Sequence, residues 1–454
     1  MDTSIHLSSP YGLRFPGPTV KSREKVEALL KQDYDDHHVF YTTGGFHNHV
    51  SHHILAAFSI GASPERLQAI YDDHARYQRA KLPSKGLNLT SKNFHEFVGD
   101  DETNYTDLLE FFTQEIKKNG RAKVVEEYAF HPDMVYRVIA GAYHPLIVIG
   151  YAMEFGSDLL AAEGLAQAGV HHGRLAPMYD KKGNFKYDGD PGITSALNAL
   201  HLSSSQKKSV LQIFQEVQAD KEIEKTLPQP SQSEKIYKVI ENGVLPHIIK
   251  YASMWELQES EQDVKERLKE LYQACIMAYA MSPRPGRKIK FDFFLMHAVT
   301  SILMLQAWLP SMSLFHQTQL LRSHLAMTLA WYCSRGRPAL HPVVLDRYQT
   351  KLKTNTANPW AHVIDATIQH EEVHVCKIIR SIVQADALWG SEPLQFPGYG
   401  VIHEPYLHAA EMTLETIRNG EDPWDKVAIG WDEGWREDKD QAHAPTAPSE
   451  GVKA

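Results

Sequence analysis

The chain has 454 residues, with 47 Lys and Arg against 56 Asp and Glu, a formal balance of −9. That mild acidity excludes nucleic acid or an anionic membrane surface as the main partner, and 27 Gly with 24 Pro exclude a collagen-like or low-complexity chain. Twenty-five histidines, one residue in eighteen, point to metal or proton chemistry, while the widely spaced Cys275, Cys333 and Cys376 form neither a disulfide framework nor a cysteine-based metal site.

The N-terminus MDTSIHLSSPYGLRFPG lacks a basic region followed by an apolar one, and the apolar stretches 145–155 and 298–309 fall short of the roughly 20 residues that span a bilayer. A cytoplasmic location is expected. Helical periodicity then governs the chain, over about 21–31, 45–60, 63–74, 104–118, 133–140, 147–155, 157–171, 209–219, 263–281, 291–309, 317–333, 359–388 and 406–419. Ser63-Pro64-Glu65 reads as an N-cap, a first-turn proline and a first-turn acid, and Asn119-Gly120 reads as a stop. Residues 178–192 form a polar excursion, a short hairpin or a lid, and 226–233 (TLPQPSQS) a linker or loop. No alternating strand pattern or βαβ unit is present. The expectation is an all-α chain: a single large helical domain over 1–435 with an internal metal site built from several helices, and a disordered tail over 436–454.

Four segments carry the chemistry. His49 and His53, spaced i, i+4 in FHNHVSHH, share a helical face that runs on into apolar sequence, with His52 the competing neighbour at i+3. His370, His374 and Lys377 fall at i, i+4, i+7, and the stretch reads HEEVH, the zincin pattern. A lysine turned inward among imidazoles must lose its proton, find an anion or be carbamylated by CO₂ to an oxygen ligand; otherwise it snorkels to solvent or pairs with Glu371 or Glu372. His144 precedes a helix N-terminus and His297 sits mid-helix in an apolar run. Each alone is an ordinary core residue, but together they form the inward set from which helical bundles build metal sites. The chain has no GxGxxG after a strand, no GxxxxGK[ST] and no GxSxG, and its Glu-x-x-His occurs once only, against a ferritin-like di-iron site.

The segments FHNHVSHHILAAFSIGASPERLQAIYDDH, YHPLIVIGYAMEFGSDLLAAEGLAQAGVHH, DFFLMHAVTS and EEVHVCKIIRSI, in that order across about 40–420, resemble the questin oxidase-like family. Within it the chain is similar to members that look like non-haem iron dioxygenases of fungal aromatic polyketide pathways, which open the central ring of an anthraquinone; others are described as Baeyer–Villiger-type oxidases. The resemblance implies Fe(II), O₂ as co-substrate and a CO₂-derived carbamate on Lys377. Carried onto this chain it implies a ligand set of His49, His53, His144, His297, His374 and Lys377, from which at least one histidine must stand back to leave room for oxygen. It implies a small aromatic polyketide substrate, an anthraquinone or its reduced form; by position, Thr300, one turn from His297, is a candidate to hydrogen-bond oxygen, Glu372, near His374, a candidate base toward a phenol, and Phe46, Tyr151, Phe155, Phe293 and Phe294 candidate ring walls. The alternatives are an NADPH- and flavin-dependent Baeyer–Villiger monooxygenase, a zinc hydrolase on HEEVH, and a polyketide-binding protein without turnover.

Overall fold

The computed structural model describes residues 16–186, 208–352, 356–418 and 424–436. Helix starts are set by side-chain caps: Thr19 and Ser22 cap each other's main chain ahead of Val20–Asp36, Ser63 accepts from the Arg66 N–H before Pro64–Ala75, and Ser209 with Gln212 repeats the reciprocal pattern at Val210–Ala219. At the centre lies the helix Phe293–Trp308, in which only Phe293, Phe294 and Gln306 escape full burial. A helix apolar on every face has to be interior. The segment Phe293–Ser311 is long and apolar enough to cross a membrane by length and composition, and here it is surrounded by protein.

That helix packs on Ala140–Phe155, Glu261–Ala280, Leu314–Ser334 and Val373–Trp389, while Val50–Ser59 rests on both Ala140–Phe155 and Val373–Trp389. The closest approach is at Gly150, where a Cβ would meet Met304 Cβ at 2.2 Å. The helices that begin at Val50, Ala140, Phe293 and Val373 therefore enclose one interior region, within one contiguous apolar core. Two small strand pairs accompany the helices: Phe291–Asp292 runs parallel to Trp424–Asp425, and Leu394–Phe396 pairs antiparallel with Gly400–Ile402.

The architecture is all-α, as expected, with differences that have local causes. The helix expected over 45–60 starts only at Val50, because Phe40 and His47 pair as an isolated bridge just before it. The helix expected over 359–388 is two, Pro359–Gln369 and Val373–Trp389. Glu372 breaks it by capping the second, accepting from the main-chain N–H of His374 at 2.8 Å and of Val375 at 3.1 Å. Arg121–Ala129, Lys221–Thr226, Lys235–Glu241, Leu245–Ser253 and Pro342–Asp346 are additional helices. Residues 230–237 wall a cavity. The excursion at 178–186 closes through a Tyr179–Phe185 bridge; its remainder to 192 and the tail 437–454 lie outside the described residues.

Candidate metal centre

His49 occupies the N-cap position of Val50–Ser59. Its approach is pinned by Asn48, whose side chain accepts from Val50 N–H and donates to Asp33 Oδ1, both at 2.9 Å. His144 is delivered differently: Gly141, Ala142 and Tyr143 all have positive φ, a left-handed interruption before Pro145 restarts the regular helix. Two non-glycine residues in that region are strained. Tyr143 is held there by its hydroxyl against Thr328 Oγ1 at 2.9 Å and by stacking on His324. Gly141 has no such latitude, since a Cβ would lie 2.7 Å from His47 Cε1 and 2.8 Å from His171 Nε2. Gly141→Ala is expected to displace the His47–His171 pair and to destabilise by about 1–3 kcal/mol through backbone strain alone, read as a lowered urea midpoint.

Five imidazoles converge. His49, His52 and His144 form one group and His49, His297 and His374 another, with the ligand atoms of each group within 4.8 Å of one another. His49 Nε2 and His144 Nε2 approach to 2.8 Å. Nitrogens bound at about 2.1 Å to one ion stand about 3.0 Å apart when adjacent in an octahedron, close to the His49–His144 separation. The outer nitrogens are anchored: His297 Nδ1 to Phe293 O at 2.7 Å, His374 Nδ1 to Glu372 Oε1 at 2.7 Å, and His144 Nδ1 to Gly141 O. Anchoring Nδ1 to an acceptor leaves the lone pair on Nε2, the arrangement that metal-ligating histidines need. His297 Nε2, His374 Nε2 and both nitrogens of His52 are buried with no hydrogen-bond partner among the described residues. Orphaned buried nitrogens cost stability unless something binds them, and this donor set can hold a divalent transition metal.

Burial pushes the pKa of His49, His52, His144, His297 and His374 well below the ordinary imidazole value, with Lys377 the largest added charge effect at His49, His52 and His374. All five are neutral at pH 7, the ligating form. Lys377, one turn beyond His374, is 3% exposed. Burial lowers its pKa to about 7, with Glu372 pulling the other way.

The structure redistributes several expected roles. His53 faces away from the cluster, its Nδ1 3.2 Å from His74 Nε2, and His74 in turn meets the Tyr77 hydroxyl; His52 takes the inward place. His370 sits at the break between helices with Nε2 on Ile417 O at 2.9 Å, so HEEVH presents no paired imidazoles on one helical face. Thr300 donates back to His297 O at 3.2 Å, an ordinary helical back-bond. Glu372 is engaged as helix cap and as His374 anchor, which makes it a positioning residue. Sequence reasoning missed His47 and His171, which meet Nε2 to Nε2 at 2.9 Å, with His47 stacked on His144 at 3.9 Å. Their signal was present in FHNH and GVHH, each next to an assigned motif.

The cluster ends a cavity of about 500 Å³ lined by His47, His49 and His144, a size typical of small-molecule sites. Phe293, Phe294 and Trp331 wall it, the last two stacked at 4.2 Å. Phe293 also sits edge-on to His297 and His374, screening them from the cavity. Phe46 lines the mouth, whereas Tyr151 and Phe155 lie behind the cluster, with Tyr151 stacked on His52.

A family model described as questin oxidase-like matches residues 46–382. Similar proteins include "Questin oxidase" of Aspergillus terreus, 26% identical with 95% of this chain and 97% of that protein covered. "Oxidoreductase AflY" of Aspergillus parasiticus is 25% identical, covering 89% and 80%. "Baeyer-Villiger oxidase AgnL3" of Paecilomyces divaricatus is 28% identical, covering 82% and 80%.

Proposed function

The chain belongs to the questin oxidase-like family and is an oxidoreductase; from that premise we propose that it is a non-haem iron dioxygenase that cleaves the central ring of an anthraquinone-type aromatic polyketide. The observation that carries the reading is the convergence of neutral, anchored imidazoles at the end of an aromatic-walled cavity. His49, His144, His297 and His374 would hold the ion, with a carbamate on Lys377 as the anionic ligand. His52, stacked on Tyr151 and absent from the cavity lining, would stand behind them. Iron(II) bound there supplies the one-electron chemistry that lets O₂ react with a closed-shell aromatic ring.

The chain's own residues do the rest. Phe293, Phe294 and Trp331 hold a flat ring system by stacking and exclude water from its faces. The Phe293 and Gly141 carbonyls and Glu372 keep three imidazoles in one tautomer and orientation. A second reading draws on relatives named Baeyer–Villiger oxidases: insertion of one oxygen atom, which requires an external two-electron reductant.

The test is metal analysis and oxygen uptake on protein purified without chelator, using a hydroxyanthraquinone reduced beforehand to its hydroquinone, so that O₂ alone accounts for the new phenol and carboxylate oxygens, with and without NADPH. About one iron per chain is expected, lost in His374→Ala and retained in His53→Ala, with uptake independent of NADPH. Strict NADPH dependence selects the oxygen-insertion reading, and turnover undiminished after chelation overturns the metal site.

A further inference from the structure

The cavity carries charges that stacking alone would not require. Lys235, Arg335 and Lys426 line it, with Glu234 the only acid among the lining residues. The Arg335 guanidinium lies 4.8 Å from the Phe294 ring centre and the Lys426 ammonium 5.2 Å from that of Phe293, so both stand over the rings that wall the cavity. Two of the three neighbouring carboxylates are engaged elsewhere. Glu234 accepts from Arg174 at 3.2 Å, and Asp425 accepts from the main chain of Val427 and Ala428. Asp292 spends Oδ1 on the N–H groups of Phe294 and Leu295 and leaves Oδ2 3.9 Å from Arg335 Nε, behind the cavity wall.

Two of the three cations are buried, and Lys426 is exposed. Arg335 is 2% exposed; its terminal nitrogens donate to Lys426 O and Ser334 O, while Nε has no hydrogen-bond partner among the described residues. Lys235 is 5% exposed and donates to Pro230 O at 2.7 Å. Burial and Arg335 lower its pKa to about 8 against the pull of Asp425 and Asp292. An anion brought among such groups is held by charge-assisted hydrogen bonds in a low-dielectric setting and restores the lysine's proton affinity.

We infer that the cavity takes its aromatic substrate as an oxyanion, a phenolate or carboxylate on a planar ring system, with Lys235 and Arg335 at the anionic edge and the rings against Phe293, Phe294 and Trp331. The inference rests on the reading of this cavity as the substrate site, but not on the metal.

Titration calorimetry on the full chain without oxygen tests it, with anthraquinone-2-carboxylate against its methyl ester, and 2-hydroxyanthraquinone, ionised, against its methyl ether. At least one anion is expected to bind about tenfold or more tightly than its neutral partner, with the advantage falling as salt is added. Lys235→Met is expected to erase most of that advantage and leave the neutral probe's affinity within about twofold; Lys426→Met, in the same direction, guards against a Lys235 variant that fails to fold. An advantage confined to the carboxylate or to the phenolate pair identifies the oxyanion. Neutral probes binding as tightly as both anions, or an advantage intact in both variants, overturn the inference. Because binding is read without turnover, a protein that prefers anions yet holds no iron would overturn the dioxygenase proposal and leave this inference standing.

Discussion

Lys377→Met is expected to lower metal affinity by more than about 100-fold, since even partners of ligands cost 10–100-fold, and to abolish oxygen-dependent turnover. The direction of the effect is the informative part. A protonated lysine beside a divalent ion repels it by several kcal/mol in a protein interior, so if Lys377 were a cation its removal would strengthen metal binding. If the amine has taken up CO₂ and released a proton to become a carbamate, its removal deletes an anionic oxygen ligand and weakens binding. The free amine is the form that reacts with CO₂, and burial makes it available by bringing the pKa down to about 7. Formate or acetate supplied to Lys377→Ala is then expected to restore part of the metal binding. Bicarbonate-free buffer is expected to reproduce the defect in the unaltered protein.

The same pKa separates metal loss from misfolding. In metal-free protein the unfolded chain keeps Lys377 protonated up to the ordinary value of about 10.4, whereas the folded chain releases the proton from about 7 upward. Over that window the unfolded state binds more protons, so folding stability rises with pH, and the cost of burying the lysine is present in full below pH 7. Lys377→Met removes that cost. The variant is expected to be more resistant to urea than metal-free unaltered protein at pH 7, by a margin that narrows toward pH 10, while binding metal worse. A variant that is both less stable and metal-free would mean that Lys377 acts through packing.

His297 was legible from sequence because its helix is apolar on every face and therefore interior, and His374 because it shares a helical face with Lys377. His52 was not, and the cause is local. Counting i, i+4 from His49 assumes that His49 is helical, but it is an N-cap residue at φ −109°, ψ 5°, and the phase is lost there. The HEEVH reading failed for a related reason: Glu372 ends one helix by starting the next, a competition that short-range propensity does not decide. The left-handed turn at Gly141–Tyr143 was invisible because Ala142 and Tyr143 adopt it against their own preference, held by Thr328 and His324 far along the chain. Lys235, Arg335 and Lys426 come together only through tertiary packing, and no periodicity brings 235, 335 and 426 to one rim.

Arg380→Met is expected to cost about 3–5 kcal/mol at neutral pH, and the further change Glu154→Leu to recover most of it. Arg380 is fully buried, sits over the rings of Tyr151 and Phe155, and donates to Glu154, itself 2% exposed. Two charges removed from water in contact roughly break even, whereas one left alone does not. Burial already pushes the Glu154 carboxyl upward against the pull of Arg380, and without the guanidinium it rises further. An acid whose folded pKa lies above its unfolded one binds more protons folded, so the single variant is expected to be least stable at high pH and to recover as pH falls toward 4.5. The pair also joins the two helices that carry His144 and His374, and Tyr151 beside it stacks on His52. Metal affinity should therefore fall in Arg380→Met and return in the double variant along with the urea midpoint. A double variant that regains stability but not metal would show that the guanidinium positions the imidazoles in a way that packing alone does not.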